Sequence, residues 1–170
     1  MRIKVIAVQA PFALAAALLL SGATAAERPT PSGLPVPRYV SLKFDKVNAR
    51  AGPGDDHRLM FVYTAKGLPV QVVAETSEWR RVCDPTGTLV WVHKRTTDGR
   101  RTVMNVRPEP TALAARPKDG APAAAFLAPR SLAALVRCNK EGWCRVRADG
   151  GAGWVRQGEL WGTAEAPQCH

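Results

Sequence analysis

Four cysteines and three histidines carry the most reactive side chains of this 170-residue chain. Cys138, Cys144, Cys169 and His170 have zinc-ligand chemistry, but their spacing matches none of the common zinc patterns. We therefore predict no metal site and no cofactor, and expect the cysteines to form disulfides instead.

A nucleophilic pair is the second chemistry open to these residues, with Cys83 as the nucleophile and His93 as its base. Such a pair needs a cleft and an oriented base, which a very small domain rarely encloses. The Gly-x-Ser-x-Gly and His-Glu-x-x-His signatures are absent from the sequence, and no paired carboxylates recur in it. The sequence predicts a protein that is not an enzyme.

Ligand binding is the third chemistry, and it centres on Trp79 and Arg81. Both alternate with Val82, so if Val82 faces the core, they face outward. An exposed indole can stack on a planar or sugar group while the guanidinium binds a carboxylate. The alternative is that Trp79 packs beneath the long loop that starts at Arg50. Trp91 has a valine on either side, which favours a position in the core over one facing a ligand.

These residues belong to an internal repeat of roughly 60 residues. Asn48 and Arg50 return as Asn105 and Arg107, Trp79 returns as Trp143, and Trp91 returns as Trp154. In this alignment residues 116–122 are an insertion that lengthens the second copy's loop. Arg107 and Trp143 are then the candidate ligand-binding residues of a second groove, and the chain is a duplicated small domain.

Short strands must position these side chains. Apolar residues alternate along 68–74, a turn follows, and residues 79–83 and 89–92 continue as strands separated by a second turn. Register with residues 59–63 favours a strand over a helix for residues 123–127. Strands this short, with turns every 8–12 residues, predict an all-β fold, either a small barrel or a sandwich.

Cys138 and Cys144 flank a turn, and parity places both on core-facing rows. Their counterparts in the first copy are Ala74 and Arg80, which would be neighbours across two antiparallel strands. Cross-strand Cα spacing of about 4.5–5.5 Å is compatible with a disulfide, so we predict a Cys138–Cys144 bond.

Cys83 and Cys169 remain as the default second pair, which would tie the carboxy-terminal tail to the first copy. Four cysteines allow three connectivities, and the repeat positions only the first pair.

The amino end begins with Arg2 and Lys4, an apolar run over 10–20 and then small residues, which predicts a signal peptide cut after Ala25 or Ala26. The run is too short for a membrane span, which needs about 20 apolar residues. We therefore expect no transmembrane segment in the mature chain. Export places the cysteines in an oxidising compartment.

Charge and composition set the rest of the organisation. Without Arg2 and Lys4 the chain has 22 basic and 14 acidic residues, a net charge of +8, which attracts anionic partners. Nucleic acid fits poorly with export, and a basic chain without a particular partner is the alternative. The predicted parts are a signal peptide (1–26), a Pro-rich lead-in (27–39), a first domain (40–103), a second domain (104–163) and a tail (164–170).

The repeated pattern resembles the bacterial SH3-like family. The resemblance rests on Asn-x-Arg-x-Gly-Pro-Gly at 48–54, Gly-Leu-Pro-Val at 67–70, Trp-Arg-Arg-Val at 79–82 and Trp-Val at 91–92. The second copy keeps the family's Gly-Trp-Val at 153–155, whereas the first has Val90 in place of the glycine. The resemblance implies two tandem SH3-like barrels, 40–103 and 104–163.

The function that this resemblance implies is non-catalytic recognition of peptidoglycan peptides, or of another anionic envelope component, by a secreted or periplasmic module. In such a groove Asp55 would receive an amine of the peptide stem, while Arg50 and Arg81 would bind its carboxylates. The alternative is an assembly module that docks an envelope protein in the same groove or by strand addition.

Overall fold

The computed structural model describes residues 30–164 and 166–169, so the predicted signal peptide and the start of the lead-in lie outside the described residues. The described chain is all-β, as predicted, with one short 3-10 turn at Lys94–Thr96. Among the described residues there is no helix of the length and apolar character that a membrane span requires.

The first sheet contains seven strands in the order β3-β2-β6-β5-β4-β1-β7, and all of its pairings are antiparallel. The strands are β1 (Arg38–Leu42), β2 (Val47–Arg50), β3 (Leu59–Tyr63), β4 (Pro69–Glu75), β5 (Trp79–Cys83), β6 (Leu89–His93) and β7 (Thr97–Asp98).

The second sheet repeats this arrangement with six antiparallel strands in the order β10-β9-β13-β12-β11-β8. The strands are β8 (Thr102–Met104), β9 (Thr111–Ala114), β10 (Ala123–Leu127), β11 (Leu132–Cys138), β12 (Trp143–Ala148) and β13 (Gly151–Arg156). The predicted strand at 123–127 is therefore present as β10, and the two copies are two small barrels of the same design.

Sheet register fixes which residues of the two copies correspond, and it corrects the alignment made from the sequence. Arg50 of β2 pairs with Trp91, and Ala114 of β9 pairs with Trp154. Ala114 is therefore the counterpart of Arg50. Arg107 was the wrong match, because it follows β8, the strand that corresponds to β1, and the Asn-x-Arg similarity there is local.

Residues 116–122 are not an insertion. They belong to the loop 115–122 between β9 and β10, which equals in length the loop 51–58 between β2 and β3. The extra residues of the second copy lie earlier, between β8 and β9, where six residues replace the four that join β1 to β2.

Each copy has its own apolar core, and the two cores fill the same space with different pairs of side chains. In the first, Val90 and Ala49 are both buried in one cluster. In the second, Gly153 takes the place of Val90 and Leu113 takes the place of Ala49. A Cβ on Gly153 would lie 2.7 Å from the Leu113 Cβ. The carbonyl oxygens of Leu113 and Ala114 would lie 2.8 and 2.9 Å from the same Cβ, so the close approach of the β9 backbone requires the glycine in the second copy.

β1 and β4 are buried on both faces, unlike the strands at the rim of the first sheet. Their apolar side chains enter the first core, while Tyr39, Ser41 and Gln71 face the second copy. Ser41 Oγ lies 2.7 Å from Thr102 Oγ1, and the Trp161 indole donates to the Pro69 carbonyl at 2.7 Å. The two copies therefore share a packed, hydrogen-bonded interface.

The tail continues this interface. Gln71 donates through Nε2 to the Ala166 carbonyl at 2.9 Å, and its Oε1 accepts from the Gln168 N–H at 2.8 Å. The Cys83–Cys169 disulfide closes the contact, with Cα atoms 5.8 Å apart. Both predicted disulfides are thus present, and the tail is tied to the first copy.

The Cys138–Cys144 disulfide joins directly paired residues of β11 and β12. Cys144 is fully buried, as predicted, whereas Cys138, which lies directly opposite it on the same face of the sheet, is exposed at the end of β11. A bulge between Leu135 and Arg137 reverses the side-chain alternation, so the residues of β11 that pack in the second core before it are Ala133 and Leu135, whose parity differs from that of Cys138.

A matching bulge between Val72 and Ala74 changes the counterparts of the cysteines in the first copy. Beyond it, Glu75 rather than Ala74 pairs with Arg80. The Glu75 carboxylate lies 3.7 Å from Arg80 Nε and 2.5 Å from Arg38. The same cross-strand position is therefore an ion pair in the first copy and a disulfide in the second.

Candidate functional site

A groove of about 150 Å³ lies beside the β2–β3 loop of the first copy. One wall contains Trp79, which is 9% exposed and is the first residue of β5. Trp79 is paired across the sheet with His93, and the centroids of the two rings are 5.2 Å apart. Two planar rings thus form one wall of an open groove.

The opposite wall is the β2–β3 loop, and Arg50 fixes its conformation. The guanidinium donates to the His57 carbonyl at 2.9 Å and to Asp55 Oδ1 at 3.0 Å. Gly52 allows the loop to close, because a Cβ there would lie 2.5 Å from the His57 ring. The Gly-Pro-Gly bend therefore serves to aim Arg50 and Asp55 at the groove.

The rim carries more positive than negative charge. Lys46, Arg50 and Arg95 line the groove together with a single carboxylate, Asp55. Lys46 and Arg95 are exposed, and Arg50 forms an ion pair with Asp55. A carboxylate-bearing ligand that is flat enough to contact Trp79 is therefore the chemistry that this groove favours.

His93 is held in place from both sides of its ring. Its Nδ1 accepts from the Arg95 N–H at 3.2 Å, and its Nε2 lies 3.8 Å from Glu78. Glu78 is also hydrogen-bonded to Lys94 at 2.8 Å, and this bond is the main cause that lowers the pKa of the Glu78 carboxyl. The imidazole is therefore a positioned wall of the groove.

The structure brings together three of the predicted site residues, Arg50, Asp55 and Trp79. Arg81 lies elsewhere: it is exposed on β5 and is paired with Trp91. Trp79 lies outside the first apolar core, but it is only 9% exposed and packs beside His93, so it is not the exposed stacking surface that was predicted. Trp91 is half-buried and not a core residue, since Val90 and Val92 take the inward positions beside it.

The sequence did not reveal Lys46, His93 and Arg95 as groove residues. His93 was predicted only as a possible catalytic base, although its place at the end of β6 puts it opposite Trp79, the first residue of β5. Lys46 and Arg95 lie in connections, where side-chain alternation gives no direction.

The remaining predicted residues lie in the second copy. Arg107 is exposed in the loop after β8, and its N–H donates to the buried Asn105 side chain at 3.0 Å. Trp143 corresponds to Trp79 and is 7% exposed. The Arg156 guanidinium covers it, with Cζ 4.3 Å from the ring centroid. Arg107 and Trp143 therefore do not form the second groove that the sequence suggested.

The cysteine chemistry considered first is occupied by disulfides. All four cysteines are bonded, so Cys83 has no thiolate to act with His93 as a nucleophile. The three cysteines of the zinc set considered from the sequence are likewise divided between two disulfides, and His170 lies outside the described residues. The described residues contain no group of three or more metal-binding side chains. Two disulfides fit an oxidising compartment.

The described chain thus contains two small antiparallel barrels in tandem. The model of the bacterial SH3 domain matches residues 43–99 and 107–162, and the chain belongs to that family. No curated protein matches the sequence.

Two solved structures from Trichomonas vaginalis are similar to the chain, NlpC2 and NlpC1. Each is 15% identical with a TM-score of 0.34, and the similarity covers 73% of this chain. It covers 47% of the NlpC2 chain and 45% of the NlpC1 chain, so this protein matches less than half of either.

Proposed function

We propose that this protein is a non-catalytic module of the periplasm or the secreted space that binds peptidoglycan peptides. The observation that carries the proposal is the groove of the first copy, where Trp79 and His93 face a loop presenting Arg50 and Asp55. The family and the two disulfides support a cell-wall-associated module in an oxidising compartment.

The chemistry of peptide stems suits this groove. A stem offers free carboxylates, which Arg50, Lys46 and Arg95 attract, and an amine, for which Asp55 is the one acidic acceptor. The peptide backbone is planar and can lie against the indole of Trp79. Arg81 would contact a longer ligand that extends along β5, and Arg107 has no part in this groove.

Co-sedimentation of the mature protein with purified peptidoglycan, across a salt series, tests the proposal. We expect binding that persists at roughly 0.3 M salt, where long-range attraction is screened. Trp79→Ala should abolish it. Since Trp79 is buried, a denaturant unfolding curve must first show that the variant is folded under the conditions of the binding assay.

A charge-matched pair of variants makes the test independent of that burial. Lys46→Glu with Arg95→Glu reverses two exposed charges at the groove, and Arg116→Glu with Lys140→Glu reverses two exposed charges on the second copy. Specific recognition predicts loss in the first double variant only. Equal losses in both would show that overall positive charge causes the binding, and the proposal would then be wrong.

A protein-interaction module is the second candidate, and the edge strand β3 favours it. Leu59, Met60, Phe61 and Val62 are all between 37% and 47% exposed, and within the described part of the chain β3 pairs only with β2. An uncharged open edge of this kind can accept an added strand from a partner. Phe61→Lys should abolish capture of such a partner and leave wall binding unchanged.

A further inference from the structure

The groove of the second copy differs from the first at two positions on opposite walls. Trp79 is paired with His93 in the first copy, and Trp143 is paired with Arg156 in the second. The residue in place of Arg50 is Ala114. An arginine is thus present in both grooves, but it comes from opposite walls.

Arg156 crosses the second groove from the sheet to the loop. Its Cζ lies 4.3 Å above the centroid of the Trp143 ring, and Nε donates to Asp119 Oδ1 at 3.2 Å. A further bond joins its second terminal nitrogen to Asp119 Oδ2, and Nη1 donates to the Glu141 carbonyl at 3.1 Å. A guanidinium stacked on an indole and paired with a carboxylate is the arrangement that a bound cation would adopt.

Asp119 stands in the second loop where Asp55 stands in the first, at the same spacing from the end of the preceding strand. Asp55 is engaged by Arg50 from its own strand, which keeps that guanidinium on the loop side of the groove. The shorter His93 stays on the sheet side. The first groove is therefore open over about 150 Å³, whereas the second is bridged from wall to wall.

We infer that Arg156 fills the second groove as an internal ligand, so that the protein has one open peptide groove and binds one peptide per chain. The inference rests on the proposed function for its ligand, but the closure by Arg156 stands on the contacts alone. Any ligand of the second groove would have to displace three hydrogen-bonding contacts and the cation–π contact together.

The closure itself is tested without a ligand. Arg145 lies on β12, is exposed and serves as an internal control for Arg156. Nε–H exchange with water, measured by nuclear magnetic resonance on the full mature chain, should be roughly tenfold slower at Arg156 than at Arg145. Asp119→Asn should remove that difference. Equal exchange at the two arginines in the unmodified protein would overturn the inference.

Titration with soluble disaccharide–peptide fragments of peptidoglycan tests the stoichiometry. Trp79 and Trp143 have separate indole N–H signals, assigned by single Trp→Phe variants. We expect the Trp79 signal to shift and saturate at one fragment per chain while the Trp143 signal stays unchanged. Shifts of both signals over the same concentration range, with two fragments per chain, would overturn the inference and leave the proposed function standing. No shift at either would refute the proposed function, and the exchange experiment would still decide the closure.

Discussion

The disulfide between Cys83 and Cys169 should contribute more to stability than any other single cross-link in this chain. The perturbation is Cys169→Ala, which removes a half-buried residue of the tail and leaves fully buried Cys83 in place. Its matched control is Cys138→Ala, which removes the exposed member of the other disulfide and also leaves a fully buried partner.

The expected magnitudes follow from the lengths of chain that the two bonds close. The sequence separations are 86 and 6 residues. In the chain-entropy model these loops correspond to about 4.6 and about 2.2 kcal/mol of stabilisation. The hydrogen bonds between Gln71 and the tail oppose part of the larger loss, because they persist without the covalent bond.

Denaturant unfolding followed by tryptophan fluorescence measures both variants. We expect Cys169→Ala to lower the free energy of unfolding by roughly 2 kcal/mol more than Cys138→Ala. We also expect a larger m-value for Cys169→Ala, since the unfolded chain expands once the long loop is opened. A loss equal to or below that of Cys138→Ala, with an unchanged m-value, would refute the reasoning from loop length.

Two further predictions concern pairs that differ between the copies. Burial opposes ionisation of Glu75, but hydrogen bonds from Ser32 and Arg38 outweigh it and hold the Glu75 pKa at about 2. Because this pKa is lower than in the unfolded chain, the stabilisation is complete above about pH 4.5 and is lost as the pH falls towards 2. Glu75→Gln should therefore lower the free energy of unfolding by roughly 3 kcal/mol at pH 7. The difference from the unmodified protein should shrink as the pH falls. A difference that stays constant from pH 7 to pH 2 in denaturant unfolding curves would contradict this prediction. Gly153→Val should cost roughly 1–3 kcal/mol through its clash with the Leu113 Cβ and with the carbonyl oxygens of Leu113 and Ala114. Because Leu113→Ala keeps all three of these atoms, adding it should not recover the loss; a double variant more stable than Gly153→Val alone in thermal unfolding would contradict this account of the clash.

Much of the fold was predictable because its signals are local. The strands at 79–83 and 123–127 were predicted with the bounds that the structure has, and those at 68–74 and 89–92 were within one residue at each end. The fold class followed from their shortness and spacing, and the Cys138–Cys144 bond from its place on either side of a turn. These inferences depend only on side-chain alternation and on turn residues.

The failures have two physical causes. A bulge in β4 and another in β11 reverse the alternation, so parity could not identify the core-facing residues of β11 or the partner of Arg80. The match of Arg107 to Arg50 failed because three similar residues outweighed the spacing of whole strands. Only hydrogen-bond register identifies Ala114 as the counterpart.

Most residues of the groove could not be predicted from the sequence, for a related reason. Arg50, Asp55 and Trp79 were found because a loop and a strand end point at each other in such barrels. His93 and Arg156 acquire their different roles only through pairing with a tryptophan on the neighbouring strand. Nothing in a single strand distinguishes a residue that borders a groove from one that fills it.

Because β1 and β4 are buried on both faces, the two copies cannot be separated without exposing buried side chains. A fragment that ended after the first copy would leave Tyr39 and Gln71, both under 10% exposed in the intact chain, in contact with water, and would lose the tail that bonds to Gln71. Tandem modules are often treated as cassettes that can be excised or shuffled between chains. Grafting experiments should therefore move both copies together with the tail as far as Cys169, which is bonded to Cys83.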